Sequence, residues 1–375
     1  MSKIAIVHPN AGIDWNRNAT FAVELARHLD NYHQVELLSG ADCGSFSRPI
    51  RSIIYPDVAN LSKHPLVERI LQKWFARPEV AIEHLTSFLP CLAYLLKHPV
   101  DLICPQNGYG GLFVATCLRA IKGTPILFTE HSNPLDGSKY LQQNLGLKPD
   151  RTIVSNLEVA KYARHFAPHL SIDIIPYGID LTEFTPEGEA LKTDLTQPTI
   201  ICVAPLNRHD NARVELTIEA VSRLPQASLL ICGNGVDRDY FQDLGDRLLG
   251  KKRFQIGNFA YAQMPQVYRS ARVFTSASVH EYGLAYLEAM ACGLPVVVTD
   301  DPVRRQAIAK GGIACDVTDL DAYTQALQDA LSKDWSWRSP RENVLRFGWQ
   351  EVSLLYDRAV CHTVNRFSLR KKVQI

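Results

Sequence analysis

Short runs of hydrophobic residues alternate along the chain with longer stretches in which hydrophobic residues recur every three or four positions. The short runs are continuous, as in parallel strands buried on both faces. The longer stretches have the spacing of amphipathic helices. In the first half of the chain the runs predict strands at residues 3–7, 34–38, 102–104, 126–129 and 151–155. Strands that alternate with helices indicate βαβ units and a parallel sheet.

The same pattern begins again after residues 186–198, a polar segment without hydrophobic periodicity. It predicts further strands at residues 199–204, 228–232, 254–257, 273–275, 296–299 and 313–316, with helices at 214–224 and 239–249. The length of 375 residues also exceeds the usual size of one domain, about 100–200 residues. We therefore predict an α/β fold with two doubly wound, Rossmann-like domains, residues 1–185 and 186–346.

A last helical stretch, residues 347–375, follows the second domain. Its hydrophobic residues at helical spacing include Trp349, Val352, Leu355 and Tyr356. It is expected either to cap the second domain or to cross back to the first. Ligands of open α/β sheets bind at the carboxyl ends of the strands, so the cleft between the two domains is the expected site.

Composition and charge restrict the class of protein further. The formal net charge is +1, which argues against extended nucleic-acid binding. The nine cysteines include no CxxC pair, and Cys104, Cys202 and Cys232 lie in apolar runs, so neither a disulfide framework nor a zinc site is expected. The start of the chain lacks a signal-peptide pattern, and no run of about 18 apolar residues occurs. A cytoplasmic protein is expected.

Residues 280–295, HEYGLAYLEAMACGLP, carry the most specific motif. A turn at Gly283 leads into a helix that begins near Leu284, and the unpaired N–H groups there can bind a diphosphate. Glu288 lies in the first turns of that helix. Its carboxylate can accept hydrogen bonds from two ribose hydroxyls, or it can simply sit favourably near the positive end of the helix dipole.

This run resembles the donor-site signature of the group 1 glycosyltransferases, family 4, whose pattern is roughly E-x-F-G-L-x-x-L-E-A-M-A-x-G-x-P. Tyr282, Gly283, Leu284 and Glu288 fall on its donor-binding part. Other stretches agree with the family in the expected order, at residues 155–160, 174–184, 229–235 and 264–276. The resemblance is strongest over about residues 150–330.

The resemblance implies the GT-B fold, in which two Rossmann-like domains face a central cleft. It also implies a retaining hexosyltransferase-like enzyme that moves a sugar from a UDP-, GDP- or ADP-sugar to a hydroxyl of a glycan, lipid-linked or small-molecule acceptor. Neither a metal nor another cofactor is expected. The implied role is polysaccharide or glycoconjugate biosynthesis.

Two departures from the family pattern concern the donor site. The family's first Glu is replaced by His280, with Glu281 directly after it, and either side chain is expected to contact the donor sugar. The family also places an Arg and a Lys after the first strand of the donor domain. Here Pro205 stands at the Arg position, and the segment offers only Arg208 and Arg213, which either bind the diphosphate or are surface cations.

The first domain supplies weaker candidates. Gly12, in the turn after the first strand, matches the glycine with which the family lets backbone approach the donor phosphates. His131 follows a predicted strand and resembles the family's active-site histidine; alternatively, local hydrogen bonds satisfy it. Asn107 and Asn133 are candidate acceptor-binding groups.

Residues 61–77 form a predicted basic amphipathic helix. It is expected either to contact the inner face of an anionic membrane or to pack on the core with a solvated basic side. Three rival functions remain at this point. A non-catalytic GT-B partner or scaffold subunit would explain the departures, a GT-B epimerase would share the fold, and an NAD dehydrogenase would need a G-x-G-x-x-G motif that is lacking.

Overall fold

The computed structural model describes residues 1–13, 17–50, 65–75, 86–132, 138–279, 283–335 and 340–373. These residues form two compact units, residues 1–178 with 350–375, and residues 179–349. Hydrogen bonds account for the border near residue 179, because Ile179 N donates to Phe347 O at 2.8 Å and the Arg341 guanidinium donates to Leu181 O at 2.9 Å. The domain borders expected at 185/186 and 346/347 stay predictions.

The first unit contains a parallel arrangement of seven described strands. They are β1 (Lys3–His8), β2 (Gln34–Ser39), β3 (Ser47–Pro49), β4 (Leu102–Pro105), β5 (Leu127–Glu130), β6 (Arg151–Val154) and β7 (Ile172–Ile174). Four of them lie in the order β3-β2-β1-β4 and three in the order β5-β6-β7, and a bridge between Ile103 and Ile126 connects the two groups. The order reverses between β1 and β4, as in a doubly wound sheet.

The second unit repeats this topology with six described strands. They are β8 (Thr199–Val203), β9 (Ser228–Cys232), β10 (Phe254–Gly257), β11 (Val273–Ser276), β12 (Val296–Thr299) and β13 (Gly312–Cys315). Their order is β10-β9-β8-β11-β12-β13, with every pairing parallel. The predicted fold of two parallel-sheet α/β domains is confirmed. The limits of the predicted strands lie within about one residue of the observed ones, whereas β3 and β7 were not among the predicted strands.

Helices connect the strands in both units. They are α1 (Arg17–Leu29), α2 (Pro65–Trp74), α3 (Phe88–Lys97), α4 (Phe113–Lys122), α5 (Ser138–Gly146), α6 (Leu157–Phe166), α7 (Val214–Ser222), α8 (Arg238–Leu248), α9 (Met264–Arg269), α10 (Ala285–Ala291), α11 (Pro302–Ile308), α12 (Leu320–Ser332), α13 (Pro340–Val344) and α14 (Trp349–Val373). Local side-chain and backbone preferences determine where several of these helices begin or end. Asn156 caps α6 by accepting from Val159 N, and Gly123 ends α4 in the left-handed conformation at φ 69°.

Helix α14 packs into the first unit. Val352, Tyr356 and Val360 are buried, and Tyr356 OH lies 3.3 Å from Thr129 Oγ1 at the end of β5. Spacing of one apolar residue every three or four positions puts these side chains on one face of the helix. No helix within the described ranges is both long enough and apolar enough to cross a membrane.

Candidate functional site

Each unit has one point where the strand order reverses, and the loops at the carboxyl ends of the strands there are the expected ligand sites. In the first unit these loops follow β1 and β4. In the second unit they follow β8 and β11 and include residues 204–213 and 277–279, which are joined by a hydrogen bond of 2.9 Å from Val279 N to Asn211 O. The sequence candidates Gly12, Asn107, Arg208 and Arg213 therefore all lie at a reversal point.

Glu288 is a buried carboxylate on α10, with 5% of its surface exposed. Tyr261 OH donates to its Oε1 at 3.0 Å, and Tyr268 OH donates to its Oε2 at 2.9 Å. Burial raises the pKa of Glu288 to about 6, and the two tyrosine hydrogen bonds partly oppose the shift. Each carboxylate oxygen keeps further lone-pair positions, so the group can still accept from a ligand hydroxyl.

Gly283 precedes α10 and follows residues 280–282, which are not described. Among the described residues, a Cβ at this position would meet only Ala285 N, at 3.9 Å. Leu284 is the N-cap residue of α10. Its side chain makes no capping hydrogen bond and packs against the core. The backbone N–H groups at the start of α10 therefore lack a side-chain acceptor at Leu284, and the described residues leave room beside Gly283.

The two candidate arginines differ in their surroundings. Arg208 is exposed, and its guanidinium lies 4.0 Å from the centre of the Tyr240 ring. Arg213 is half-buried and has a left-handed backbone with φ 50° at the residue before α7. The pKa of Asp316, on the loop after β13, is lowered mainly by hydrogen bonds from Thr318. The positive charge of Arg213 lowers it further. Arg213 is thus a half-buried cation at the reversal point, and its backbone conformation is strained.

Arg304 is a further buried cation that the sequence analysis did not single out. It forms an ion pair with Asp301, and its Nη2 donates to Ser278 Oγ at 3.0 Å. The neighbouring Asp300 pairs with Arg305. The sequence contains a local pattern that predicts this ion pair. Asp301, Pro302 and Arg304 are typical of a helix N-terminus in which the first and fourth residues pair. Both carboxylates after β12 are therefore engaged by guanidinium groups.

His131, after β5, lies in a hydrogen-bonded chain within the first unit. Its Nε2 is 3.2 Å from Gln106 Oε1, and its Nδ1 is 3.1 Å from Tyr177 OH. Gln106 Nε2 in turn donates to Thr129 Oγ1 at 3.2 Å. The Tyr177 ring stacks on the imidazole at 5.7 Å, and Phe21 meets it edge-on at 5.3 Å. Because Gln106 Oε1 can only accept, Nε2 carries the proton in the neutral ring.

Asn107 and Gly12 occupy the two loops at the reversal point of the first unit. Asn107 is buried; its Oδ1 accepts from Gly111 N, while its Nδ2 makes no hydrogen bond to any described residue. An unsatisfied buried amide favours a polar ligand. Gly12 has φ 81°, and a Cβ there would lie 2.8 Å from Cys43 Sγ. Packing alone therefore requires a glycine at this position.

His280, Glu281, Tyr282 and Asn133 lie outside the described residues. The partners that hold the described candidates were not predicted from the sequence. They are Tyr261 and Tyr268 for Glu288, and Gln106 and Tyr177 for His131. A signal was available for two of them. Tyr268 belongs to the family-like stretch at residues 264–276, and Tyr177 replaces the family's Asn in the stretch at residues 174–184.

Comparison with known proteins agrees with this architecture. The first unit matches the model described as Glycosyltransferase Family 4 over residues 19–183, and the model described as Glycosyl transferases group 1 matches residues 184–345. Among solved structures, Anabaena HepE in complex with UDP and glucose superposes with a TM-score of 0.67 at 16% identity, covering 96% of this chain and 100% of that one. A glycosyltransferase from Rickettsia africae gives 0.68 at 16% identity, covering 97% and 98%. The fold is that of the GT-B glycosyltransferases.

Because the two family models follow each other without a gap over residues 19–345, the chain belongs to the group 1 glycosyltransferases of family 4. A phosphatidyl-myo-inositol mannosyltransferase of Mycolicibacterium smegmatis is 27% identical over 84% of this chain and 80% of its own length. A GDP-mannose-dependent monoacylated phosphatidylinositol monomannoside mannosyltransferase of Corynebacterium glutamicum is 24% identical over 52% of this chain. That match spans only 57% of the relative.

Proposed function

We propose that the protein is a retaining glycosyltransferase that moves a hexose from a nucleotide-sugar to an acceptor hydroxyl. The observation that carries the proposal is Glu288, a buried carboxylate fixed by two tyrosine hydroxyls on the helix that follows Gly283. Family membership supports the same assignment. Its two relatives named above are mannosyltransferases, one of them GDP-mannose-dependent, so GDP-mannose is the donor we propose first.

In this proposal Glu288 accepts hydrogen bonds from the ribose hydroxyls, and the diphosphate lies at the start of α10 beside Gly283. Arg213 supplies the cation that the family's Arg and Lys normally provide. It is preferred to Arg208 because it is half-buried and strained at the reversal point, whereas Arg208 is exposed and stacked on Tyr240. A fixed cation stabilises the charge that grows on the leaving diphosphate, a contribution of about 3 kcal/mol for one such group.

In the proposed transfer the configuration at the anomeric carbon is retained. The acceptor hydroxyl oxygen bonds to that carbon on the face from which the diphosphate leaves, and the bond from the carbon to the diphosphate oxygen breaks. The hydroxyl proton passes to a diphosphate oxygen. His131 and its partner Gln106 contact the donor sugar, and the open Asn107 Nδ2 donates to the acceptor. Asp300 and Asp301 are paired with arginines, which supports a diphosphate site without a metal ion.

The acceptor class is a glycan or lipid-linked hydroxyl. Helix α2 supports contact with an anionic membrane surface, because Ile70 and Trp74 are 59% and 74% exposed next to the exposed cations Arg69 and Lys73. Such a helix places an apolar edge and a basic edge in the same interface.

A calorimetric titration with GDP, UDP and ADP tests the nucleotide site, and donor turnover is then followed by mass spectrometry with GDP-mannose, UDP-glucose and ADP-glucose. Glu288→Gln is expected to lose nucleotide affinity by at least about tenfold, because one hydrogen bond to a charged group contributes roughly 1.5–3 kcal/mol. The matched control is Glu189→Gln, an exposed glutamate of the same unit. Absence of nucleotide binding by a folded sample would remove the enzyme assignment. NMR of the product's anomeric proton tests retention of configuration. Turnover in the presence of EDTA tests metal independence.

A further inference from the structure

A second polar cluster lies in the first unit, away from the loops at the reversal point. His33 follows α1 and directly precedes β2, while Asp357 and Cys361 lie one turn apart on α14. One ligand atom from each residue, an imidazole nitrogen, a carboxylate oxygen and the thiol sulfur, lies within 4.8 Å of the other two. His33 is buried, Asp357 is half-buried and Cys361 is exposed, so the cluster opens to solvent on one side.

The Nε2 atom of His33 is close to a carboxylate but is not held by an aligned hydrogen bond. It lies 2.9 Å from Asp357 Oδ1, yet this buried nitrogen makes no hydrogen bond to any described residue. The two atoms are close without being aligned as donor and acceptor. An ion between the two atoms would take a lone pair from each, and Cys361 Sγ, which donates a hydrogen bond to the same Oδ1 at 3.5 Å, offers a third ligand atom.

We propose that His33, Asp357 and Cys361 bind a divalent transition-metal ion, for which zinc is the best match. Zinc takes imidazole, thiolate and carboxylate ligands at about 2.0–2.3 Å in tetrahedral geometry, which places neighbouring ligand atoms roughly 3–3.7 Å apart. The observed separation of 3.5 Å lies within this range and that of 2.9 Å lies just below it, so the ligand atoms need to move only slightly around an ion. The fourth position faces solvent and takes a water molecule.

Binding requires two local changes. The Cys361 thiol, which donates to Asp357 Oδ1, releases its proton to solvent and becomes a thiolate, and the proton on the His33 ring moves. Ser2 N donates to His33 Nδ1 over a long distance of 3.4 Å, which leaves the proton of a neutral ring on Nε2. The ion takes the lone pair of Nε2, so the proton moves to Nδ1 and the contact with Ser2 opens. The bound ion then joins the turn between α1 and β2 to α14, and it stabilises the first unit because it binds only the folded arrangement.

Cobalt titration of the full-length protein tests the proposal directly, because a thiolate bound to Co²⁺ gives a charge-transfer absorption band in the near ultraviolet. The wild-type protein is expected to show this band at one equivalent of Co²⁺ and to lose it when Zn²⁺ is added in competition. Cys361→Ser is expected to abolish the band. His33→Gln and Asp357→Asn are expected to weaken binding by a factor of roughly 100 or more.

Cys117→Ser is the matched control, since Cys117 is a free, partly buried cysteine of the same unit, and it is expected to keep the band. Zinc is also expected to raise the melting temperature of the wild type and of Cys117→Ser but not of Cys361→Ser. The proposal is overturned if the wild type gives no band, or if the band or the zinc-induced shift persists in Cys361→Ser. Cys361 is exposed, so circular dichroism is expected to show that the serine variant folds.

Discussion

Arg213 is the residue at which stability and the proposed catalysis oppose each other. A non-glycine residue in the left-handed region costs of order 1–2 kcal/mol, and Arg213 has φ 50° there. We predict that Arg213→Gly raises the free energy of unfolding by about 1 kcal/mol and lowers kcat about 100-fold through loss of the cation. Arg208→Gly is the control and is expected to change kcat less than about threefold. Urea unfolding and donor turnover measure the two effects.

For Arg213, a drop in turnover without a gain in stability would show that the strained backbone has a packing role. Arg213→Ala separates the charge from the backbone, because alanine keeps the strained conformation while it removes the guanidinium. It is expected to lose the same activity as Arg213→Gly without the gain in stability. Equal turnover of wild type and both variants would assign the diphosphate contact to another group.

Glu288 makes stability depend on pH in a defined direction. Its pKa in the folded state is raised to about 6, so the folded protein binds a proton more readily than the unfolded chain. Burial of the ionised group costs about 2 kcal/mol at pH 8, and this cost disappears as the pH falls through 6 towards 4. We predict that Glu288→Gln is more stable than the wild type by about 1–2 kcal/mol at pH 8 and equally stable near pH 4.

Urea unfolding at pH 4, 6 and 8 measures this difference for Glu288→Gln. The exposed Glu189→Gln variant should show no such trend. A pH-independent difference would mean that Glu288 keeps its charge in the folded state without cost, and that its two tyrosine partners fully replace water.

At the scale of elements, two glycines of the second unit differ in what requires them. We expect close packing to require Gly233 and ligand access to require Gly283. A Cβ on Gly233, after β9, would lie 1.9 Å from the backbone oxygen of Ala204, after β8. A Cβ on Gly283 would meet its nearest neighbour among the described residues at 3.9 Å. We predict that Gly233→Ala destabilises the protein by about 1–3 kcal/mol, because two adjoining loops must separate. Gly283→Ala should change stability by less than about 0.5 kcal/mol.

Only the Gly283→Ala variant is expected to weaken GDP binding without destabilisation, because its methyl group occupies the space beside the start of α10. Urea unfolding and calorimetric titration together distinguish the two variants. If Gly283→Ala bound GDP as the wild type does, the diphosphate would not approach this turn, and the donor site would have to be sought elsewhere in the second unit.

At the scale of the whole molecule, the first unit is completed by the last helix of the chain. Tyr356 is buried in that unit and contacts Thr129, which is 227 positions earlier. We predict that Tyr356→Ala costs about 3–5 kcal/mol and speeds amide hydrogen exchange in β4 and β5 of the first unit. The exposed neighbour Leu355→Ala is the control and should leave exchange unchanged. Equal acceleration throughout residues 199–315 would indicate that the chain unfolds as a single cooperative unit.

The sequence by itself determined the element types, the two parallel sheets and the family. Parallel strands buried on both faces must be continuously apolar, and amphipathic helices must repeat every three or four residues, so both are visible locally. It also placed Glu288 in the first turns of a helix and Arg213 in the segment that follows a strand, since a motif and a strand end can be read from neighbouring residues.

Only the tertiary structure decided which distant groups meet. Tyr261 and Tyr268 bind Glu288 from 27 and 20 positions away, and α14 packs into the unit formed by the start of the chain. The cluster of His33 with Asp357 and Cys361 has no ligand spacing in the sequence, which is why no zinc site was expected there. Such contacts depend on how distant segments of the chain pack in the folded protein, and no periodic pattern in the sequence predicts that packing.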